Sequence, residues 1–436
     1  MTNCTSESIR FKGVKGRKVE SVFSGQTITS DGGGVLLRAA DEAINLLSRA
    51  GRCFTDVRRK ASCEHTVENL LRQRVYALAL GYEDLNDHNA LRHDPALQTA
   101  VGRDVDMASA STLCRFENSV DAKSLWALSS VLVDVFVESH KKAPDEIILD
   151  FDATDDAVHG HQEGRFFHGY YDHYCFLPLY VFCGERLLAA YLRPSNIDGA
   201  KHSLAILGLL VKRLRKTWPK TCIIVRGDSG FCRWKFMRWC DSHRIEHILG
   251  LAKNARLLKE AQPLLDEVHE CFLQTGVKQK IFDETSYAAQ SWDIQRRVII
   301  KAEHLDKGSN PRFVVTSLCD APEQLYQRYC ARGEVENRIK EQQLSLFADR
   351  TSCSKWLPNQ LRVLLSALAY TLLTTIRQKA LAGTELARAR CDTIRLKLLK
   401  IGASVVRNTR RVTLMLSESY PYKNIFRLAA ARLHAG

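Results

Sequence analysis

Glu146-Ile-Ile-Leu-Asp-Phe-Asp-Ala-Thr-Asp155 has the pattern of a buried β-strand that ends in acidic residues. Its apolar run is followed by Asp150 and Asp152, and residues two apart on a strand share a face. Both carboxylates therefore point the same way, whereas Phe151 points to the opposite side. The stretch predicts a central strand with a pair of acids near its carboxyl end.

Two further acids lie in comparable surroundings. Cys222-Ile-Ile-Val-Arg-Gly-Asp-Ser-Gly-Phe231 reads as a second buried strand, with Asp228 in the glycine-flanked turn that follows it. Glu336 lies on a predicted helix that spans Glu323–Phe347. Mg²⁺ prefers oxygen ligands such as carboxylates, and two such ions can activate the attacking oxygen and stabilise the leaving oxygen at a phosphodiester. Two acids at strand ends and one on a late helix therefore predict a divalent-metal site for phosphoryl transfer.

The composition favours a polyanionic partner. The 436 residues include 63 Lys and Arg against 49 Asp and Glu, a net charge of +14, and a basic excess of this kind favours nucleic acid. The 14 cysteines form no CxxC pair, which argues against a zinc ribbon or a secreted disulfide scaffold and favours a reduced cytoplasm. No apolar run reaches about twenty residues and the N-terminus is polar, so neither a membrane span nor a signal peptide is expected.

The order of predicted elements places an α/β core between two mostly helical regions. After the first acidic strand, Leu177–Phe182 and Arg186–Leu192 predict a hairpin, and Ser203–Leu214 predicts a crossover helix before the strand of Asp228. A three-strand meander, a crossover helix and a further strand is the order of ribonuclease-H-like folds. The interval from Asp228 to Glu336 is too long for a loop, so a β-rich insertion is expected. The predicted parts are a helical N-terminal DNA-binding domain (1–140), the catalytic core (141–235 and 318–350), the insertion (236–317) and a helical, basic C-terminal region (351–436).

The N-terminal region carries two further patterns. Residues 1–30 are polar and basic, and they predict a flexible arm that orders on DNA or a solvated tail. Gly32-Gly33-Gly34 follows. Because the triplet lacks the Lys-Ser/Thr of a phosphate-binding P-loop, the start of a helix is favoured over a phosphate cradle.

The predicted helix of Glu336 places several functional residue types along one face. Tyr329, Arg332, Glu336, Lys340 and Gln343 are separated by three, four, four and three positions, and such spacings make neighbours on a helix surface. A solvated face with an ordinary ion pair would explain the pattern. A tyrosine and an arginine beside a metal-binding acid are also well placed to hold a phosphate.

Together these motifs resemble the DDE transposases of bacterial insertion sequences, in the branch with a Tyr-x2-Arg-x3-Glu-x6-Lys signature. Tyr329, Arg332 and Glu336 match that spacing, whereas Gln343 stands at the Lys position, and we expect Lys340 to supply the phosphate contact instead. Within this branch, the insertion-sequence thirteen-eighty group has stretches similar to four in this chain: Ser-Asp-Gly-Gly, Asp-x-Asp-x-Thr, His-Gly-x-Gln-Glu-Gly and Arg-Gly-x-x-Glu-Asn-Arg-Ile-Lys-Glu. The resemblance runs from about residue 20 to about residue 430.

The resemblance implies a ribonuclease-H-like core in which Asp152, Asp228 and Glu336 hold two Mg²⁺ ions, with Mn²⁺ as a substitute. Asp152 is favoured over Asp150 as the first ligand, because the Ala-Thr that follows it matches the motif of the first acid. Tyr329, Arg332 and Lys340 would bind DNA phosphates. Trp292, in the strand pattern Ser286–Trp292 of the insertion, is the candidate for stacking on a flipped base, although packing is the usual role of a lone Trp.

The activity implied is cut-and-paste transposition. A homodimeric synaptic complex would bind double-stranded DNA at the terminal inverted repeats of the insertion sequence, cleave the ends and join the 3′-OH groups to target DNA, in the nucleoid of the bacterial cytoplasm. Two other classes stay open: a ribonuclease-H-like nuclease without strand transfer, and an inactive DNA-binding repressor derived from a transposase. Mg²⁺-dependent cleavage separates the enzymes from the repressor, and joining of a pre-cut end separates the transposase from the nuclease.

Overall fold

The computed structural model describes residues 8–23, 27–56, 58–59 and 63–434. The described residues form two compact units: one within Met1–Asn45, Arg58–Cys114 and Thr375–Gly436, the other within Leu46–Val57 and Arg115–Thr374. Every predicted site residue belongs to the second unit. Over these described ranges, no helix combines the length and apolarity needed to cross a membrane.

Strands and helices occur throughout both units. The strands are β1 (Ile9–Val14), β2 (Arg17–Ser21), β3 (Ile28–Thr29), β4 (Glu146–Ala153), β5 (Asp156–Ala157), β6 (Phe166–His168), β7 (His173–Phe176), β8 (Leu179–Cys183), β9 (Arg186–Tyr191), β10 (Cys222–Gly227), β11 (Glu246–Leu251), β12 (Gln279–Tyr287), β13 (Arg296–Leu305), β14 (Gly308–Ser309), β15 (Arg312–Thr316), β16 (Ala403–Arg407) and β17 (Val412–Leu416). The helices are α1 (Val35–Ile44), α2 (Leu46–Arg52), α3 (Val67–Leu80), α4 (His88–Leu91), α5 (Pro95–Val101), α6 (Ala110–Asn118), α7 (Ala122–Glu138), α8 (Ser203–Thr217), α9 (Trp234–Ser242), α10 (Ala255–Thr275), α11 (Pro322–Cys330), α12 (Gly333–Lys340), α13 (Trp356–Thr375), α14 (Cys391–Ile394) and α15 (Lys423–His434).

The main sheet of the second unit has the order β12-β13-β15-β11-β10-β4-β8-β9, with β14 beside β13. Strands β4, β10 and β11 are parallel, and β8 is antiparallel to both β4 and β9. Helix α8 makes the crossover from β9 to β10. The five strands β9-β8-β4-β10-β11 thus have the order of a ribonuclease-H-like core, and the predicted α/β class is confirmed.

Both faces of this sheet are covered, which explains the nearly continuous apolar runs of the central strands. In β10, Ile223 and Val225 belong to a large core that includes side chains of helices α7, α8, α9 and α10. Ile224 points to the other face, where it packs in a smaller core with Leu325 of α11. A strand buried on both sides cannot slide or turn over cheaply, so the residue after its end is held in a fixed place.

The β-rich segment predicted as an insertion continues the sheet beyond β11. Strands β15, β13 and β12 add to it in antiparallel fashion, and α10 contributes Leu257 and Val268 to the large core. The strand predicted over Ser286–Trp292 is wrong beyond Tyr287, where β12 ends. The chain turns there, with the N–H of Trp292 donating to the carbonyl of Ala289 at 2.9 Å. Trp292 fitted the apolar pattern of a strand because its indole packs against the core from a turn.

The N-terminal arm is more regular than expected. Strands β1 and β2 pair as an antiparallel hairpin whose residues are all exposed. Lys15 and Gly16 form its turn with φ angles of 49° and 77°, as a two-residue hairpin loop requires. Within the stretch predicted as a flexible arm or a solvated tail, Ile9–Ser21 therefore has regular structure, because basic and apolar residues alternate there at strand spacing. Its ordering on DNA stays a prediction. Residues 1–7 and 24–26 of that arm lie outside the described residues.

The glycine triplet starts a helix, as the sequence favoured. Gly32–Gly34 is a 3₁₀ turn that leads directly into α1. The N–H of Gly32 donates to the carbonyl of Ile401 at 2.9 Å. A Cβ atom on Gly33 would lie 1.9 Å from the carbonyl oxygen of Leu398. Gly32 and Gly33 are therefore required for close packing within the first unit.

We expect Gly33→Ala to destabilise the first unit, by at least the 1–3 kcal/mol typical of overpacking. The reason is that backbone would have to move to accept the methyl group. Gly34→Ala is the matched control, since its Cβ would meet Leu80 at 3.8 Å, an ordinary contact. Urea denaturation of both variants measures the difference. Equal midpoints for the two variants would contradict the close-packing account.

Candidate active site

The first two acids are brought together by the pairing of β4 with β10. The parallel register places Gly227 opposite Phe151, so Asp228 follows its strand one step on, next to Asp152. Asp152 is buried near the carboxyl end of β4, whereas the side chain of Asp228 is about half exposed. The side chain of Asp228 also accepts a hydrogen bond from the N–H of Gly230 at 2.8 Å. This turn leaves one carboxylate oxygen of Asp228 directed toward the site.

The third acid reaches the same edge on a short helix. The single helix predicted over Glu323–Phe347 is wrong, because α11 ends at Cys330 and α12 begins at Gly333, a residue that weakens helices. A π-helical turn, Glu341–Ser345, follows α12. Glu336 lies in the first turn of α12 and is more than half exposed. Because of this break, Glu336 lies in the first turn of a new helix and not in the middle of a long one.

The three acids converge on the guanidinium group of Arg332. Its Nη2 atom lies 2.9 Å from Oδ1 of Asp152 and 3.7 Å from Oδ2 of Asp228. Its Nη1 atom lies 3.4 Å from Oε1 of Glu336. Oxygen atoms from two strand ends and one helix therefore surround a single positive charge. The sequence placed Arg332 beside Glu336 by their i,i+4 spacing but missed its contacts with the two aspartates.

The electrostatics of the cluster favour a cation. Burial raises the pKa of Asp152 to about 6, against the opposing effect of Arg332, and the negative charges of Asp228 and Glu336 raise this pKa further. The same three carboxylates raise the pKa of Arg332 against its own burial. Three acids thus share one built-in countercharge. A cluster with such surplus negative charge is typical of a functional site.

The donor set fits a hard divalent cation. Among the described residues, no three or more His, Cys, Asp or Glu side chains stand ready to hold a metal ion in this conformation. Instead, the Arg332 guanidinium lies where the carboxylates of Asp152, Asp228 and Glu336 meet. All three offer oxygen atoms, as Mg²⁺ or Mn²⁺ requires. A metal ion would therefore have to replace Arg332 at this place.

Asp150, the rival first ligand, has a different partner. It is buried, and its Oδ2 atom accepts from Nη2 of Arg226 at 2.8 Å, while its other oxygen accepts from Nε of the same guanidinium. Arg226 also donates to the backbone carbonyl of Arg328. Asp150 is therefore neutralised by a bidentate ion pair, which supports Asp152 as the acid of the site. Because Asp150 and Arg226 are register partners across β4 and β10, the strand patterns contained a signal for this pair.

The remaining predicted residues surround the cluster unevenly. Tyr329 is partly buried at the end of α11, and the negative charge of Asp228 adds to the burial that raises its pKa. Lys340 is exposed at the end of α12. Gln343 donates from Nε2 to the backbone carbonyl of Asp155 at 2.7 Å, a tether that the sequence did not reveal. Trp292 is partly buried against the core, with its ring 5.6 Å from that of Tyr287.

One comparison with known proteins shows a family. The family model described as "Transposase DDE domain group 1" matches residues 11–435 of this chain. No protein with a curated description matches it. Among solved structures, the piggyBac transposase synaptic complex with hairpin DNA, determined by cryo-electron microscopy, has a TM-score of 0.43 and 10% sequence identity over 86% of this chain and 81% of that chain. That likeness is distant, so the family match is the finding that bears on function.

We expect Asp152→Asn to stabilise the metal-free protein at neutral pH. The folded-state pKa of about 6 lies above the ordinary 3.8, so this group stabilises the fold below pH 3.8 and loses that contribution as the pH rises through 6. Two pKa units correspond to about 3 kcal/mol, which is an upper bound for the gain at pH 7.5. At pH 4 the gain should largely vanish.

Thermal unfolding in EDTA at both pH values measures this effect. Glu334→Gln is the control, because Glu334 is an exposed acid of the helix that carries Glu336 and its replacement should leave the stability nearly unchanged. If Asp152→Asn melted below the wild type at pH 7.5, the balance of charges inferred for the cluster would be wrong.

Proposed function

The chain belongs to the transposase DDE domain group 1 family, and from this premise we propose that it moves a bacterial insertion sequence of the thirteen-eighty group. It is a DDE-type transposase. In this proposal it binds the terminal inverted repeats, cleaves the element ends and joins their 3′-OH groups to target DNA by a cut-and-paste route. The observation that carries the proposal is the convergence of Asp152, Asp228 and Glu336 on one cationic group.

In the proposed reaction, Asp152, Asp228 and Glu336 would hold two Mg²⁺ ions. When bound, such ions supply activation of the attacking oxygen and stabilisation of the leaving 3′ oxygen. Asp152 is the fixed member, since it is buried on a strand covered on both faces, whereas Glu336 is exposed on a short helix that can adjust. In this proposal the two aspartates set the position of the scissile phosphate, and Glu336 adds a third carboxylate from helix α12.

Arg332 would change partners during the reaction. Once it leaves the carboxylates, its planar guanidinium would be able to hold two oxygens of the scissile phosphate. Tyr329, at the end of α11, and Lys340, at the end of α12, lie on either side of it along the chain and would contact neighbouring phosphates. The same arginine would therefore neutralise the empty acid cluster and then the bound substrate.

Double-stranded DNA is the partner that suits the charge. The net charge of +14 would favour long phosphate backbones, and the exposed β1–β2 hairpin offers Arg10, Lys12 and Lys18 for such contacts. Joining both element ends to one target calls for two active sites, and a homodimer supplies them. We therefore propose a dimeric synaptic complex on paired ends.

Single alanine variants of Asp152, Asp228 and Glu336 should lower cleavage and strand transfer by at least about a thousandfold, since each removes a ligand that the others cannot replace. Binding to inverted-repeat duplex should change little. Glu334→Ala is the matched control, because Glu334 is a more exposed acid of the same helix turn. Gel assays with duplex ends and pre-cut ends, in Mg²⁺ and in EDTA, measure both steps.

The outcomes of that assay separate the alternatives. Cleavage without joining of pre-cut ends would make the protein a nuclease. Specific binding with no Mg²⁺-dependent cleavage would make it a repressor.

Arg332→Ala should tighten Mn²⁺ binding to the DNA-free protein by roughly three- to tenfold, because the metal no longer competes with an ion pair of ordinary strength. The same variant should lose cleavage. Calorimetric titration with Mn²⁺ at pH 8, where Asp152 is ionised, measures the affinity. Arg338→Ala is the control, since Arg338 lies on the same helix but pairs with Glu185 and Glu334. Weaker Mn²⁺ binding by Arg332→Ala would mean that the arginine supports the metal site instead of competing for it.

A further inference from the structure

A small sheet rich in aromatic side chains follows the first acid. Strands β5, β7 and β6 form a separate three-stranded sheet in that order, and we call residues 156–176 the aromatic flap. It begins four residues after Asp152. Its exposed aromatic side chains are Phe166, Phe167, Tyr170 and Tyr174. The proposed chemistry at the acids uses none of them.

The two faces of the β6–β7 hairpin differ. Phe167 pairs with Tyr174 across the hairpin, and their rings meet edge to face at 5.7 Å. Arg165 lies two residues before Phe167, so it shares that face, and its guanidinium lies 4.5 Å from the ring centre of Tyr174. Cys175, on the opposite face, is fully buried. The aromatic rings and the cation therefore face away from the body of the unit.

The turn between β6 and β7 carries the most exposed ring of the flap. Tyr170 is 85% exposed, and its ring lies 5.0 Å from that of Tyr171 at a nearly perpendicular angle. Tyr171 in turn contacts His168. A Cβ atom on Gly169 would meet nothing within 4 Å. The turn thus exposes the ring of Tyr170 to solvent, and the ring of Tyr171 packs against it.

The flap is tied to the acid cluster from two sides. Asp155, three residues after Asp152, lies 2.9 Å from Nε2 of His173 on β7. Gln343, seven residues after Glu336, donates to the carbonyl of Asp155. Burial raises the pKa of Tyr171 to about 12, with smaller contributions from the charges of Asp155 and Asp152. Tyr171 is therefore within electrostatic reach of Asp152, and its ring contact with Tyr170 connects the exposed ring to this side of the site.

We propose that the aromatic flap binds an unpaired DNA base next to the cleaved strand end, with Tyr170 and the Phe167–Tyr174 pair as stacking surfaces. The proposal rests on the proposed function, which supplies the strand end. Aromatic side chains beside an Arg are how proteins hold unpaired bases of any sequence. The flap has three acidic residues: Asp156 is buried, Glu163 accepts a hydrogen bond from the N–H of Trp356 at 2.9 Å, and Asp172 is exposed.

The flap also answers the question raised by Trp292. That indole is partly buried against the core and Tyr287, so less of its ring is open than in Tyr170. Tyr170 offers an open ring near the acids, which the stacking role requires. We therefore assign base stacking to the flap in preference to Trp292.

The test uses the full chain in EDTA and a 12-nucleotide oligo-dT, with a second probe that carries 2-aminopurine in a single-stranded overhang at a pre-cut element end. Tyr170→Ala should weaken oligo-dT binding by about five- to a hundredfold and should abolish the quenching of 2-aminopurine. Tyr170→Phe keeps the ring and should behave as the wild type. Trp126→Ala removes another exposed aromatic ring, 54% exposed on α7, and should have no effect.

Several results would overturn the proposal. The first is that the wild-type protein does not bind oligo-dT. The second is that Tyr170→Ala binds oligo-dT and quenches 2-aminopurine as the wild type does. The third is that Trp292→Ala, and not Tyr170→Ala, loses the quenching. A change in oligomeric state by light scattering, without a change in DNA binding, would assign the flap to a protein partner. Duplex-end cleavage in Mg²⁺ is measured separately, so failure of the proposed function is distinguished from failure of the flap. Unfolding curves of Tyr170→Ala should match the wild type, because the side chain is exposed.

Discussion

The parallel pairing of β4 with β10 is the constraint on which the site depends. Their register fixes Asp152 and Asp228 as neighbours at one edge of the sheet, and cores on both faces hold that register. A slip by one residue would turn Asp152 to the other face. It would also separate Asp150 from Arg226, so the buried ion pair locks the same alignment that the acids require. Packing and charge thus specify one arrangement.

The acid cluster is maintained at a cost in stability that the surrounding elements offset. Ionised Asp152 is unfavourable in the fold because it is buried beside two other carboxylates. Arg332 relieves part of this repulsion, but it comes from a helix break rather than from the rigid sheet. The sheet therefore fixes the positions of Asp152 and Asp228. The start of the short helix α12 carries Arg332 and Glu336, the groups proposed to exchange partners. This division is common where a site must bind a metal and then a substrate.

Much of the core could be read from the sequence. The apolar runs before Asp152 and Asp228 predicted two buried strands, and parallel strands that end at one edge bring their acids together. The helix break before Gly333 escaped prediction, because helical periodicity continues across it. The roles of Arg332 and Gln343 depend on distances between elements far apart in the chain, which residue spacing does not encode. The outward rings of the flap could not be singled out from the sequence, because hydrophobicity alone does not tell an outward ring from an inward one, and the stacking role of Trp292 stays a prediction. The domain boundaries expected at residues 140, 235, 317 and 350 stay predictions.

The π-helical turn Glu341–Ser345 has a consequence for how this chain diverges from its signature. A π-helix advances fewer degrees per residue than an α-helix, so position 343 leaves the face of Glu336 and meets the backbone of Asp155. A lysine there would face a carbonyl rather than a phosphate.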